Sequence, residues 1–139
     1  MPSRESHDGQ RIDVAGPTAL GDAIASTHDF ALNLGLGERD HARLCIIVEE
    51  LIANLCEHGI CDIEREIGLE LGLQEAALTV VVEDNGAPFD PRQAGGDAVV
   101  PERGGGAGLR LVNAWAEILS YEARNGRNRL ELLLPLIDR

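Results

Sequence analysis

Between Glu38 and His58 the apolar residues Leu44, Ile47, Val48, Leu51 and Leu55 recur at helical intervals, the clearest period in the chain. They define one stripe that has to be buried. At about 100° per residue, Glu50, Asn54 and His58 advance by about 40° each and form a ridge along one flank of that stripe, where core meets opening. A carboxamide such as Asn54 is a weak helix former, so its place beside a core needs a reason. Its amide oxygen suits Mg²⁺, which prefers oxygen donors and keeps several waters; a bond to neighbouring backbone is the plainer alternative. Glu50, one turn earlier, is within reach of the same opening and can orient or deprotonate an attacking hydroxyl. His58 either contacts phosphate or caps the helix C-terminus, where a cation is favoured.

Around this helix the pattern predicts a short edge strand over Gln10 to Ala15, a turn at Gly16-Pro17-Thr18 and a helix over Thr18 to Leu34, ended by Gly35-Leu36-Gly37. Two strand-like runs follow, Ile67 to Leu73 and Leu78 to Glu83, with Gln74 to Ala77 between them as a hairpin connection. The stretch 88–106 is rich in Gly, Pro and Ala without a sustained period, and long loops of that kind are usually lids or disordered. A third helix is expected over Gly108 to Leu119. Strands over Leu119 to Arg124 and Arg129 to Leu134 are expected around a turn at Asn125-Gly126-Arg127-Asn128.

At 139 residues the chain is one ordinary domain, able to bury roughly two-thirds of its unfolded surface. Its 24 acidic against 12 basic residues give a net charge of −12, which repels a phosphate backbone or an anionic bilayer. Nucleic-acid and membrane roles are therefore set aside, and the cytoplasm is the expected compartment because the N-terminus has no apolar segment. Every basic residue is arginine. Without lysine neither the G-x-x-x-x-G-K-[ST] phosphate loop nor the strand lysine of eukaryotic-type protein kinases is possible. Cys45, Cys56 and Cys61 are odd in number and are expected to be buried, reduced thiols.

Two further stretches carry chemistry. Asp84 closes a strand and is followed by Asn85-Gly86, a turn that lets the backbone approach a flat ligand. A carboxylate there can accept the exocyclic amine of adenine, or it can close an ordinary Asx turn. Gly104, Gly105, Gly106 and Gly108 stand before an apolar helix and offer unobstructed N–H groups together with a helix dipole, the physics of phosphate binding. An acid and amide on one helix, an acidic turn and a glycine segment, in that order, describe a nucleotide site.

At these residues the chain resembles the Bergerat-fold (GHKL) ATPase superfamily. Glu50-x-x-x-Asn54-x-x-x-His58 is similar to its N box, Asp84-x-Gly86 to its first glycine box and Gly105-Gly106-Ala107-Gly108-Leu109 to its second. Within the superfamily the small anti-sigma-factor serine/threonine kinases look most similar, through the histidine ending the N box, Pro88-Phe89-Asp90-Pro91 and the shortness of the chain. The resemblance implies an α/β (α+β) two-layer sandwich, three helices on one face of a mixed, mostly antiparallel sheet, with a flexible tail at 1–9, one ATPase domain at 10–139 and an ATP lid at about 88–106. It implies ATP and Mg²⁺ as cofactors, Glu50 as catalytic base, Asn54 as metal ligand and Asp84 as adenine reader. Gly86, Gly105, Gly106 and Gly108 become positions of close approach, Leu109 their neighbour, and His58 and Arg103 groups on the phosphate side. The expected partners are a STAS-type anti-sigma factor antagonist and a sigma factor or similar regulator, with homodimerisation a family trait. A nucleotide-responsive binding module without catalysis, and the catalytic domain of a histidine kinase, are the alternatives.

Overall fold

The computed structural model describes residues 9–59, 66–86, 88 and 105–138. Most of the expected tail and lid therefore lies outside the described residues. The chain runs through strand β1 (Gln10–Ala15), a 3-10 turn (Gly16–Thr18), helix α1 (Ala19–Leu34), helix α2 (Glu38–Gly59), strands β2 (Glu66–Gln74) and β3 (Ala77–Asp84), helix α3 (Gly105–Trp115), and strands β4 (Glu117–Arg124) and β5 (Arg127–Pro135). The strands form one sheet in the order β1-β2-β3-β5-β4, with every pairing antiparallel. The two-layer sandwich stands as expected.

Alternation decides which face of the sheet is covered. Ile67, Leu69 and Leu71 of β2, Leu78, Val80 and Val82 of β3, and Leu130, Leu132 and Leu134 of β5 are all buried, at spacings of two that point to one face. Ala19, Ala23 and Phe30 of α1, Leu44, Ile47, Val48, Leu51 and Ile52 of α2, and Val112 of α3 join them in a single cluster, so all three helices cover that face. The other face carries charge. There Arg11 on β1 pairs with Asp13, Glu70 and Glu83 at 3.0, 2.6 and 3.2 Å. Gly68 of β2 lies under that guanidinium, where a Cβ would collide with it.

Helix ends follow their sequence signals. Gly35 takes a left-handed conformation (φ 69°), and the N–H groups of Gly35 and Leu36 donate to the carbonyls of Leu32 and Ala31, each at 3.1 Å. This closes α1 with a Schellman motif. Asn125 (φ 56°) and Gly126 (φ 77°) are both left-handed, the requirement of a tight I′ hairpin between β4 and β5.

Three expectations need correction. Helix α3 starts at Gly105 and ends at Trp115, earlier at both ends than the apolar period suggested. Residues 117–119, expected to finish that helix, instead begin β4, where Glu117 and Ile118 pair with Leu133 and Leu132 and Leu119 sits at a bulge, exposed. Cross-strand pairing with β5 outweighs helical propensity there. The turn before β5 is also tighter than expected, so Arg127 and Asn128 belong to the strand.

The C-terminal segment is held by one buried side chain. Asp40, fully inaccessible near the start of α2, accepts from the N–H of Ile137 at 2.9 Å, the N–H of Asp138 at 2.7 Å and Arg43 Nη1 at 3.3 Å. Truncating it takes the acceptor from two amides and the ion-pair partner from the part-buried Arg43, which keeps its bond to the Pro135 carbonyl. Asp40→Ala is expected to lower unfolding stability by about 3 kcal/mol in chemical denaturation. Arg39→Ala, which removes the exposed pair with Asp138, should cost less than about 1 kcal/mol.

Candidate functional site

The inward alternation of β3 and β5 does not end in leucine and valine. It continues from Val82 to Asp84 and from Leu130 back to Asn128, and those two polar residues are direct cross-strand partners, each only 4 % exposed. A carboxylate cannot be buried there without donors. Asn128 Nδ2 donates to Asp84 Oδ2 at 3.2 Å and to the Gly86 carbonyl at 2.9 Å, while the Gly86 N–H donates to Asp84 Oδ2 at 2.8 Å. The contact from Gly86 is the Asx turn anticipated as the plain alternative for Asp84. Asn85 ties the same turn to the start of β2, its Oδ1 accepting from the Glu66 N–H at 3.0 Å.

Asn54 faces this pair from the helix layer. It is 9 % exposed, and with Leu51 and Leu55 of α2, Val82 and Asp84 of β3, Tyr121 of β4, and Asn128 and Leu130 of β5 it lines one cavity of about 20 Å³. That is room for about one water molecule. The walls are apolar, and the polar atoms converge from Asn54, Asp84 and Asn128. Leu55 and Tyr121 are partly buried members of that lining.

The other expected site residues divide by position. Glu50 is half-buried one turn before Asn54 on the same flank and does not line the cavity. Gly86 lies in the Asx turn beside it. Gly105, Gly106 and Gly108 belong to the first turn of α3 rather than to a loop before it, and that helix packs on α2. The first four N–H groups of a helix have no partner within it, so the amides wanted for phosphate remain at a helix start. The backbone of His58 is in the last turn of α2 and that of Leu109 is in α3, but their side chains, like Gly104 and Arg103 entirely, lie outside the described residues.

Sequence reasoning missed Asn128. The four-residue turn expected at Asn125-Gly126-Arg127-Asn128 hides it, whereas Asn125-Gly126 alone satisfies a two-residue I′ turn and leaves Asn128 in phase with Leu130, Leu132 and Leu134. Of the cysteines, Cys45 is reduced as expected, though only half-buried, and Cys56 departs from expectation. Cys45 is a free thiol, pushed up in pKa by burial and then by the charge of Glu49, so it stays protonated. Cys56 is disulfide-bonded. Helical spacing predicts which face a thiol occupies and carries no information about its oxidation.

Because Asn128 supplies donors to two buried acceptors, Asn128→Ala is expected to cost about 1–3 kcal/mol in urea denaturation. An unchanged midpoint would mean that Asp84 does not depend on it.

Residues 14–134 match the family described as histidine kinase-like ATPase domain. The serine/threonine-protein kinase BtrW of Bordetella bronchiseptica is 29% identical over 130 residues, covering 90% of this chain and 91% of that protein. Among solved structures, the nucleotide-free catalytic domain of histidine kinase ThkA superposes with a TM-score of 0.54 at 12% identity, over 94% of this chain and 99% of that one. The histidine kinase domain of the blue-light activated histidine kinase of Erythrobacter litoralis EL346 gives 0.53 at 19% identity, over 86% of this chain. This chain spans 60% of that domain's length. At such identities the two structures speak to the fold alone. Among the described residues no helix is long and apolar enough to cross a membrane.

Proposed function

The chain belongs to the histidine kinase-like ATPase domain family, and from that premise we propose that it is a regulatory serine/threonine protein kinase. It would use ATP with Mg²⁺ to phosphorylate a small STAS-type antagonist and, in the antagonist's absence, sequester a sigma factor or similar regulator. The observation that carries the reading is the convergence of Asn54, from the middle of a helix, with Asp84 and Asn128, from strand ends, on one cavity. The similarity to a protein named a serine/threonine kinase, running nearly end to end in both chains, favours hydroxyl over histidine as acceptor. His28 and His41, moreover, are engaged with each other at 2.8 Å.

The donor set fits the group it would hold. One amide oxygen, from Asn54, suits an octahedral, oxygen-preferring Mg²⁺ that keeps waters and phosphate oxygens as its other ligands. Asn54 would supply that oxygen, and the bound ion would neutralise charge on the phosphates. Asp84, its Oδ2 held by Asn128 and the Gly86 N–H, would accept the exocyclic amine of adenine, a choice that rejects guanine. N–H groups of the first turn of α3, bare of Cβ at Gly105, Gly106 and Gly108, would lie against phosphate oxygens, with Leu109 following them. Arg103 and His58 are assigned to the phosphate side. Glu50 would take the proton of the attacking serine or threonine hydroxyl as its oxygen bonds the γ-phosphorus and ADP leaves.

Two variants separate these roles. Glu50→Gln should abolish radiolabel transfer from ATP to a candidate antagonist while ATP binding survives; transfer that persists removes Glu50 from the mechanism. Asp84→Asn should weaken ATP binding by about 10–100-fold, the loss of a charge-assisted hydrogen bond, in titration calorimetry with magnesium. Acid-stable label on serine or threonine is the expected product, and acid-labile phosphohistidine would overturn the assignment.

A further inference from the structure

His41 and Cys45 stand one turn apart on α2 and therefore share a face. At about 100° per residue that face is roughly 180° around the helix from the Glu50 and Asn54 flank, so it looks away from the cavity. It meets α1, which packs beside α2 and brings His28 to the same place. His28 Nδ1 lies 2.8 Å from His41 Nε2, with the rings edge to face and 4.9 Å between centroids. Donor atoms of all three residues, two imidazole nitrogens and a thiol sulfur, lie within 4.8 Å of one another.

Two imidazoles and a thiolate are a donor set for zinc and its neighbours and a poor one for magnesium or calcium. Zn–N bonds of about 2.0–2.1 Å and Zn–S bonds of about 2.3 Å place neighbouring tetrahedral donors roughly 3.4 Å apart. The two nitrogens need only part slightly and the sulfur close in, within reach of side-chain rotation. His28 is exposed, so an ion has a path from solvent, and Glu49, close enough to act on the Cys45 thiol, adds negative potential. We propose that His28, His41 and Cys45 form a binding site for a zinc-class divalent ion, clasping α1 to α2, with water in the fourth position. Binding moves the proton between the imidazoles to the other ring nitrogen of the donor histidine and expels the thiol proton to solvent. Neither the position of this site nor its chemistry depends on the nucleotide reading.

The test uses the full chain, titrated with Zn²⁺ by calorimetry and with Co²⁺ by absorption, in millimolar Mg²⁺. One ion per chain is expected, with tetrahedral cobalt bands and a thiolate-to-cobalt charge-transfer band. Cys45→Ser should remove the charge-transfer band. His28→Gln and His41→Gln should each weaken zinc binding at least as much as the roughly 10–100-fold typical of losing an outer-shell partner. His28 is at the surface, so its variant tests the site without disturbing the core. Absence of stoichiometric zinc uptake, a charge-transfer band that survives Cys45→Ser, or zinc affinity unchanged in His28→Gln would each overturn the proposal.

Discussion

The cross-strand pair of Asp84 and Asn128 sits where two hydrophobic alternations run out, and the cavity is organised around it. Along β3 the inward series is Leu78, Val80, Val82, Asp84; along β5, read backwards, it is Leu134, Leu132, Leu130, Asn128. The pleat that buries six aliphatic side chains also delivers a carboxylate and a carboxamide to the same depth. Antiparallel register then sets them face to face, so the carboxylate is buried with its donors already present. A one-residue slip would turn both outward and disperse the cavity.

Helix α2 completes the enclosure by using both flanks of a single apolar stripe. Leu44, Ile47, Val48 and Leu51 seat it on the sheet, and the flank bearing Asn54 closes over the strand-end pair. The opposite flank carries His41 and Cys45 against His28 of α1. One rigid helix thus fixes the distance between two chemically distinct groups of side chains, an oxygen-rich set toward the cavity and a nitrogen and sulfur set away from it. Fastening of the C-terminus by Asp40, buried near the first turn of the same helix, ties the end of the chain to that element as well.

Much of this was legible in the residues because periods survive without tertiary information. The edges of β1, α1 and α2, the two central strands and the apolar stripe follow from spacing, Asn54 stands out as a carboxamide on the flank of that stripe, and Asp84 as a carboxylate closing a strand before Asn85-Gly86. Asn128 was missed for a local reason. Its neighbours Asn125, Gly126 and Arg127 make a plausible four-residue turn, and only the left-handed pair at Asn125 and Gly126 shows the turn to be two residues long. The boundary between α3 and β4 failed for a non-local one, since pairing of Glu117 and Ile118 with β5 decides it.

By itself, then, the sequence determined the elements, the covered face of the sheet and the kinds of donor available, because 3.6-residue and two-residue periods and the identity of side chains are local properties. Tertiary structure decided which donors meet. Asp84 finds Asn128 through strand register, Asn54 joins them through the docking of α2, and His28 reaches His41 and Cys45 through the packing of α1 on α2. Each of those meetings joins residues distant along the chain, and no spacing rule specifies a contact whose partners are brought together only by the folding of the segments between them.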